Sequence, residues 1–170
     1  MEPKTTPRKM PIGIQDFEKL RNFGCVYVDK TEYVWRLVSE PAPYFLSRPR
    51  RFGKSLLLTT LKAYFQGKKE LFAGLAIAEL ETEWQEYPVL HLDFNSGAYS
   101  NLDEFKDSLD ILLHRQEEVF GVDEKEKTFP ARFEGLIYRA YRKTGKQVVI
   151  LVDEYDKPLL ESLGDEKLNA

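Results

Sequence analysis

Two short stretches of the sequence contain the residue types from which a phosphate site can be built. The first, Gly53-Lys54-Ser55, lies between an apolar stretch and a helical pattern. Backbone amides at a helix start converge on an anion, and the helix dipole favours negative charge there. Gly53 lets the backbone approach closely, Lys54 can reach the β- and γ-phosphates, and the Ser55 hydroxyl can ligate Mg²⁺. This stretch predicts a phosphate-binding loop.

The loop departs from the complete pattern G-x-x-x-x-G-K-[ST], because Arg48 stands where the first glycine would fall. The alternative is an ordinary basic turn with Lys54 in solvent. The position between an apolar strand and an apolar helix favours phosphate binding. The predicted nucleotide-binding residues are Arg48, Pro49, Arg50, Arg51, Phe52, Gly53, Lys54 and Ser55.

The second stretch is the apolar run Val148–Val152, which leads into Asp153 and Glu154. The run predicts a buried strand, and ligands bind at the carboxyl ends of strands in open parallel sheets. Asp153 would hold Mg²⁺, and Glu154 would activate the attacking water as general base. A surface loop is the alternative for the acidic pair considered alone. A glutamate beside the metal-binding aspartate favours hydrolysis over transfer to a second substrate.

The cations of the glycine loop allow three interpretations. Arg48, Arg50, Arg51 and Lys54 could complement a triphosphate, contact nucleic acid, or form a solvated basic turn. We favour the triphosphate for Lys54, and the three interpretations stay open for Arg50 and Arg51.

The elements that position these stretches alternate between strand and helix, which predicts an α/β protein with a mainly parallel sheet. Strand, basic loop, helix, strand, helices, strand and acidic pair follow in the order of a P-loop NTPase. The predicted strands are Cys25–Val28, Tyr44–Ser47, Val89–Phe94 and Gln147–Val152; the predicted helices cover Ile14–Leu20, Thr31–Val38, Leu56–Phe65, Leu102–Phe120, Pro130–Thr144 and a start at Leu159–Leu163.

Composition limits the classes that remain. The chain has 170 residues, a net charge of −3 and 42% apolar residues, so it can bury a core and is not a global polycation. One cysteine and two histidines argue against a disulfide framework and a histidine-rich metal centre. Without an apolar run long enough for a membrane helix or a signal peptide, we expect a cytoplasmic protein. Residues 1–11 are predicted to be a flexible lead-in, and residues 12–170 one domain.

Other residues with chemical potential have a simpler explanation. Asp29-Lys30-Thr31 is predicted to cap a helix, and Asp93 to cap a turn at the edge that also carries Asp153. Asp156 and Lys157 could orient Glu154 or pair with each other. Core packing is expected for Cys25, His91, Tyr27 and Tyr33, although either tyrosine could stack on adenine, and a surface position for His114.

The sequence resembles the bacterial and archaeal predicted AAA-ATPase-like proteins, which are AAA-family ATP-binding proteins. The matching stretches span nearly the whole chain: Pro11–Phe17, Tyr27–Thr31, Phe45–Ser55 and Val152–Pro158. The resemblance implies a P-loop three-layer αβα sandwich that uses ATP and Mg²⁺. It also implies Walker A roles for Gly53, Lys54 and Ser55, and Walker B roles for Asp153 and Glu154, with Ser55 and Asp153 on the metal. Members often carry a C-terminal PD-(D/E)XK nuclease-like domain, of which these residues contain nothing.

Three functional hypotheses follow. The first is an Mg²⁺-dependent ATPase in which Lys54 and Glu154 are catalytic. The second is a nucleotide-sensing module that does not hydrolyse ATP and serves a nucleic-acid-processing domain, and the third is a DNA contact through the arginine loop. In P-loop proteins of this class a later strand lies between the Walker A and Walker B strands. We therefore expect residues 12–170 to be the N-terminal part of a larger ATPase that can form a homo-oligomer.

Overall fold

The computed structural model describes residues 8–40, 42–49, 51–97, 99 and 101–158. Its contacts divide the chain into two compact units, residues 1–86 and residues 87–170. Most of the predicted lead-in, the predicted loop residue Arg50 and the predicted helix start at Leu159–Leu163 lie outside the described residues. The single domain over residues 12–170 stays a prediction.

Short helices dominate the described part of the first unit. Asp16 begins the first of them, because its side chain accepts a hydrogen bond from the backbone N–H of Lys19 at 2.8 Å. The predicted helices at residues 31–38 and 56–65 are confirmed with small shifts of their bounds. The elements are α1 (Phe17–Asn22), α2 (Thr31–Ser39), α3 (Lys54–Phe65), a 3₁₀ turn (Lys69–Phe72) and α4 (Ile77–Leu80).

An aromatic cluster forms the core of this unit. The rings of Phe17 and Phe72 lie 4.9 Å apart, and those of Phe72 and Trp84 lie 5.1 Å apart. Val34 of α2 and Ile77 of α4 are buried against the same cluster. Trp84 falls in a stretch that the sequence presents as a charged connector, so the core reaches further along the chain than the apolar pattern indicates.

Neither strand predicted for the first unit forms. Cys25 makes only an isolated parallel bridge with Lys9, and Val26 donates its backbone N–H to Lys9 at 2.8 Å. Residues 44–47 have no strand, and the Phe45 side chain is 71% exposed. An apolar run becomes a strand only when another strand supplies hydrogen bonds. Within the described residues, no strand pairs with either segment.

The second unit contains two of the predicted strands, including the one with the strongest strand signal. β1 (Val89–Asp93) and β2 (Val149–Asp153) are parallel, with Val89 opposite Val149 and Asp93 opposite Asp153. The crossover between them contains α5 (Leu102–Phe120) and α6 (Phe129–Thr144), as predicted. Described helices and a parallel two-stranded sheet are compatible with the predicted α/β class.

Apolar contacts hold α5, α6 and the strands of this unit together. Leu90 of β1, Leu113 of α5 and Leu136 of α6 are buried in one cluster. The prediction of a buried strand holds for one face of β2 only: Leu151 and Asp153 are buried, whereas Ile150 and Val152 keep 42% and 39% exposure. Those two side chains are one strand period apart, so they share a face that the described residues cover only partly.

Candidate functional site

The predicted glycine loop leads directly into α3, whose first two residues are Lys54 and Ser55. Gly53 precedes the helix with φ +78°, a left-handed conformation that glycine adopts without a steric penalty. The ammonium group of Lys54 donates a hydrogen bond to the backbone carbonyl of Arg48 at 3.0 Å. The lysine therefore bridges its own loop, at the residue that replaces the first glycine of the phosphate-loop pattern.

The start of α3 has no side-chain cap, in contrast to the starts of α1, α5 and α6. The N-cap residues of α2 and α4 also give no cap, but Asp29 and Thr31 accept amides at those two starts. Asp16, Asn101 and Thr128 each accept a hydrogen bond from a first-turn amide of α1, α5 and α6. Gly53 gives α3 no side-chain cap, and no acidic residue lies in its first turn. An uncapped helix start that carries a lysine is suited to an external anion.

The predicted acidic pair lies at the carboxyl end of β2. Asp153 is the last residue of the strand and only 7% exposed. Glu154 follows with φ +51°, and its carbonyl accepts the backbone N–H of Lys157 at 3.0 Å. A residue other than glycine costs roughly 1–2 kcal/mol in the left-handed region. Such residues cluster at functional sites, where the surrounding structure holds them.

Asp93 has the predicted role of a turn cap. Its carboxylate accepts the backbone N–H of Asn95 at 2.8 Å, at the start of a 3₁₀ turn over Phe94–Ser96. Asp93 and Asp153 are register partners, so the two turns leave the sheet side by side. Across the described residues, no group of three or more His, Cys, Asp or Glu side chains is arranged to hold a metal ion.

Lys157 joins these two turns, a role that sequence reasoning left open. Its ammonium group donates to the carbonyl oxygens of Asn95 and Gly97, at 2.6 and 2.9 Å. It also lies 5.5 Å from the centre of the Tyr99 ring. No sequence pattern indicates this contact, because the carbonyls belong to a loop about 60 residues earlier in the chain.

The Asp29-Lys30-Thr31 stretch forms the predicted helix cap and also makes hydrogen bonds to a second helix. Asp29 accepts the backbone N–H of Thr31 at 2.9 Å and that of Ala76 at 2.7 Å. The hydroxyl of Thr31 accepts the backbone N–H of Ile77 at 3.1 Å. Burial opposes ionisation, but the hydrogen bonds from Ala76 and Thr31 hold the pKa of Asp29 below its ordinary value. These contacts tie the start of α2 to the start of α4.

The remaining candidates divide between core and surface. Cys25 is buried, as expected, and Tyr27 packs edge-on against Phe17 with ring centres 5.3 Å apart. His114 has the expected surface position. Tyr33 is 62% exposed, so the expectation that it packs in the core is wrong.

The two halves of the predicted site belong to different units. Lys54 and Ser55 lie in the first unit, whereas Asp153 and Glu154 lie in the second. The structure describes the local geometry of each half by itself. Their assembly into one site stays a prediction. No helix in the described ranges has the length and apolar character that crossing a membrane requires.

The described residues define a class of mixed helix-and-strand protein with a parallel strand pair, a glycine loop at a helix start and an acidic pair at a strand end. The sequence model of the family described as "Predicted AAA-ATPase" matches residues 11–170, and the chain belongs to this family. The chain is also 41% identical over 157 residues to "Uncharacterized protein in vnfD 5'region" of Azotobacter chroococcum mcd 1. That alignment covers 92% of this chain but 30% of the relative's length. No solved structure matches the chain.

Proposed function

We propose that the chain is the nucleotide-binding part of an Mg²⁺-dependent ATPase with the P-loop three-layer fold. The observation that carries the proposal is the start of α3, which has no side-chain cap while Lys54 closes the loop in front of it. The family to which the chain belongs supports ATP as the nucleotide. Because the chain spans about 30% of the relative's length, turnover is proposed for the whole protein.

The loop would bind the triphosphate through backbone amides and cations. Lys54 would exchange the neutral carbonyl of Arg48 for phosphate oxygens, since a charge-assisted hydrogen bond to an anion is stronger than one to a carbonyl. Arg48 and Arg51 are exposed around the loop and add positive charge near the phosphates. The left-handed Gly53 keeps the loop backbone free of a Cβ where the phosphates approach.

The donor atoms of the two proposed ligand residues have the chemistry that a magnesium ion prefers. Ser55 and Asp153 offer hard oxygen ligands, and Mg²⁺ in nucleotide sites takes only one or two protein ligands, with phosphates and water completing its shell. Asp153 is nearly buried, and a buried carboxylate is costly without a cation. When bound, the ion would neutralise charge on the phosphates.

Glu154 would act as general base. Its carboxylate accepts a proton from the attacking water as the water oxygen forms a bond to the γ-phosphorus and the bond to the leaving oxygen of ADP breaks. The left-handed backbone of Glu154 turns the chain directly after the strand, so its side chain leaves in a direction that a continued strand would not give. This geometry supports a role at the site rather than in an ordinary surface loop.

The test compares ATP binding and phosphate release by the full-length protein and two variants. Lys54→Ala should lose most ATP affinity, because phosphate contacts through a cation contribute on the order of 1.5–3 kcal/mol. Glu154→Gln should keep ATP binding and lower turnover by about 10²- to 10⁴-fold, the usual contribution of a general base. Lys69→Ala and Glu124→Gln, which change exposed residues away from both stretches, are the matched controls.

Turnover that survives both substitutions would contradict the proposal. Tight ATP binding by the wild-type protein without turnover, with or without DNA, would instead indicate the nucleotide-sensing module.

A further inference from the structure

The two turns at the carboxyl end of the strand pair are joined by one side chain. Lys157 follows the acidic pair, and its ammonium group donates to the carbonyls of Asn95 and Gly97 in the loop after β1. An ammonium group has three donors, and two of them are directed to these carbonyls. The ammonium group also lies 5.5 Å from the centre of the Tyr99 ring, a cation–π distance.

The loop after β1 has the shape that this contact requires. Tyr99 is 1% exposed, and its hydroxyl donates to the carbonyl of Phe94 at 2.8 Å, which ties the ring to the start of the 3₁₀ turn after β1. Gly97 lies directly against the ring, and a Cβ at this position would overlap the phenol. The ring edge also packs on Phe105 of α5 at 5.8 Å between centres. The carbonyls that receive Lys157 are therefore fixed to the body of this unit.

The other end of the contact is the turn of the acidic pair. The backbone N–H of Lys157 donates to the carbonyl of Glu154 at 3.0 Å and closes the turn in which Glu154 has φ +51°. A left-handed conformation of a glutamate persists only where surrounding contacts hold it. Lys157 supplies such a contact twice, through its backbone to Glu154 and through its side chain to the neighbouring turn.

We propose that Lys157 is a positioning residue that fixes the backbone of Glu154 by joining its turn to the carbonyls of Asn95 and Gly97. This inference rests on the proposed role of Glu154 as general base. Because β1 and β2 end in register at Asp93 and Asp153, the two turns are neighbours, and a lysine can span them. Loss of the ammonium group should leave the acidic residues present but their turn less constrained.

The test uses the full-length protein with Lys157→Met, Lys157→Arg and the control Lys125→Met, which changes an exposed lysine of the linker between α5 and α6. The measurements are kcat, the Kd for ATP with Mg²⁺, and hydrogen exchange of the amides at residues 94–99 and 154–157. Lys157→Met should lower kcat by about 10- to 100-fold, since small misplacements of a catalytic group cost this much. The Kd should change by less than about threefold, because the binding contacts are retained.

Hydrogen exchange at both turns should increase in Lys157→Met, and Lys157→Arg should restore part of kcat because guanidinium can also donate to two carbonyls. Lys125→Met should match the wild type in all three measurements. A Lys157→Met variant with wild-type kcat would overturn the inference, even if its melting temperature falls. Faster exchange with equal losses in kcat and ATP affinity would also overturn it, as would a Lys157→Arg variant no better than Lys157→Met.

The failure of the inference can be distinguished from that of the proposed function. If the wild-type protein neither binds nor hydrolyses ATP, the proposed function fails and the inference fails with it. If the wild-type protein hydrolyses ATP and Glu154→Gln does not, while Lys157→Met is fully active, only the inference fails.

Discussion

Replacing Arg132 by methionine removes the cation that neutralises a buried carboxylate between α5 and α6. The guanidinium of Arg132 donates to both carboxylate oxygens of Glu117, at 2.8 Å each, and to Asp110 at 2.5 Å. Glu117 keeps 3% side-chain exposure and Arg132 keeps 17%, whereas Asp110 keeps 59%. The bidentate contact between Arg132 and Glu117 is therefore the part of this network that water cannot replace.

The magnitude follows from this difference in burial. Breaking a buried pair by removing one partner costs about 3–5 kcal/mol, because the remaining charge is left without compensation. The contact with exposed Asp110 adds about 1 kcal/mol at most. We expect Arg132→Met to lower the free energy of unfolding of this unit by about 3–5 kcal/mol at pH 7. The double change Glu117→Leu with Arg132→Met should recover most of the loss, since apolar replacement of a buried pair is often neutral.

The pH dependence gives a second, independent signature. Hydrogen bonds from Arg132 hold the pKa of Glu117 below its ordinary value against the effect of burial, and the charges of Arg132, His114 and Arg139 add to this. In the wild type this stabilisation is present above the unfolded pKa of about 4.3 and is lost as the pH falls through the lower folded pKa. Without Arg132, burial should raise the pKa of Glu117 above the unfolded value. The loss of unfolding free energy that Arg132→Met causes should then become smaller as the pH falls from 7 towards about 4.5.

Hydrogen exchange of the α5 and α6 amides under native conditions measures the change in unfolding free energy of the unit that contains both helices. Trp35 and Trp84 are the two tryptophans of the chain and lie in the other unit, so their fluorescence does not report it. Arg142→Met is the matched control on α6, because Arg142 is exposed and should cost less than about 1 kcal/mol. A His114→Gln background removes any contribution of the His114 ring, whose Nδ1 lies 3.9 Å from Glu117.

A loss below about 1 kcal/mol at pH 7, or a deficit that stays constant between pH 7 and pH 5, would refute the reasoning about the buried charge.

Two glycine substitutions distinguish the role of the loop in ATP binding from the effect of a strained backbone on stability. Gly53→Ala and Gly74→Ala each place a Cβ at φ of +78° and +74° without a nearby clash, so each should cost about 1–2 kcal/mol in thermal denaturation. Only Gly53→Ala should weaken ATP binding in a titration, and equal ATP affinity in both variants would contradict the assigned loop. Asp29→Asn should cost about 0.5–1.5 kcal/mol at pH 7, since it weakens the contacts with Ala76 and with α2 at a partly exposed site. Because the pKa of Asp29 is lowered on folding, this difference should disappear as the pH falls through the folded pKa, as measured by urea unfolding with tryptophan fluorescence.

The sequence by itself determined the helices and strands whose signals are local. Asn101 and Thr128 cap α5 and α6, and the apolar period along each helix predicts the face that packs. Gly145 has φ +66° and ends α6 where the sequence predicts the stop. The glycine loop falls at the start of α3 and the acidic pair at the end of β2, because each position depends on neighbouring residues.

The sequence could not determine which apolar runs pair as strands. Tyr44–Ser47 has strand-like composition, but pairing needs hydrogen bonds from another segment, and composition does not specify that segment. The same holds for Ile150, whose side chain stays partly exposed although its strand is among the most apolar stretches. A strand's burial depends on what packs against it.

Only the tertiary structure decided the partners of polar side chains that are distant in sequence. As a charged residue on a helix, Glu117 would be expected to face solvent, yet it is buried because Arg132 of α6 lies opposite. Asp29 is recognisable as a cap, but its bond to Ala76 joins two helices. Lys157 reaches carbonyls in the loop after β1. Helix caps and apolar periods are local. Hydrogen-bond partners across the fold depend on which distant segments meet in the folded chain, and no short stretch of sequence specifies this.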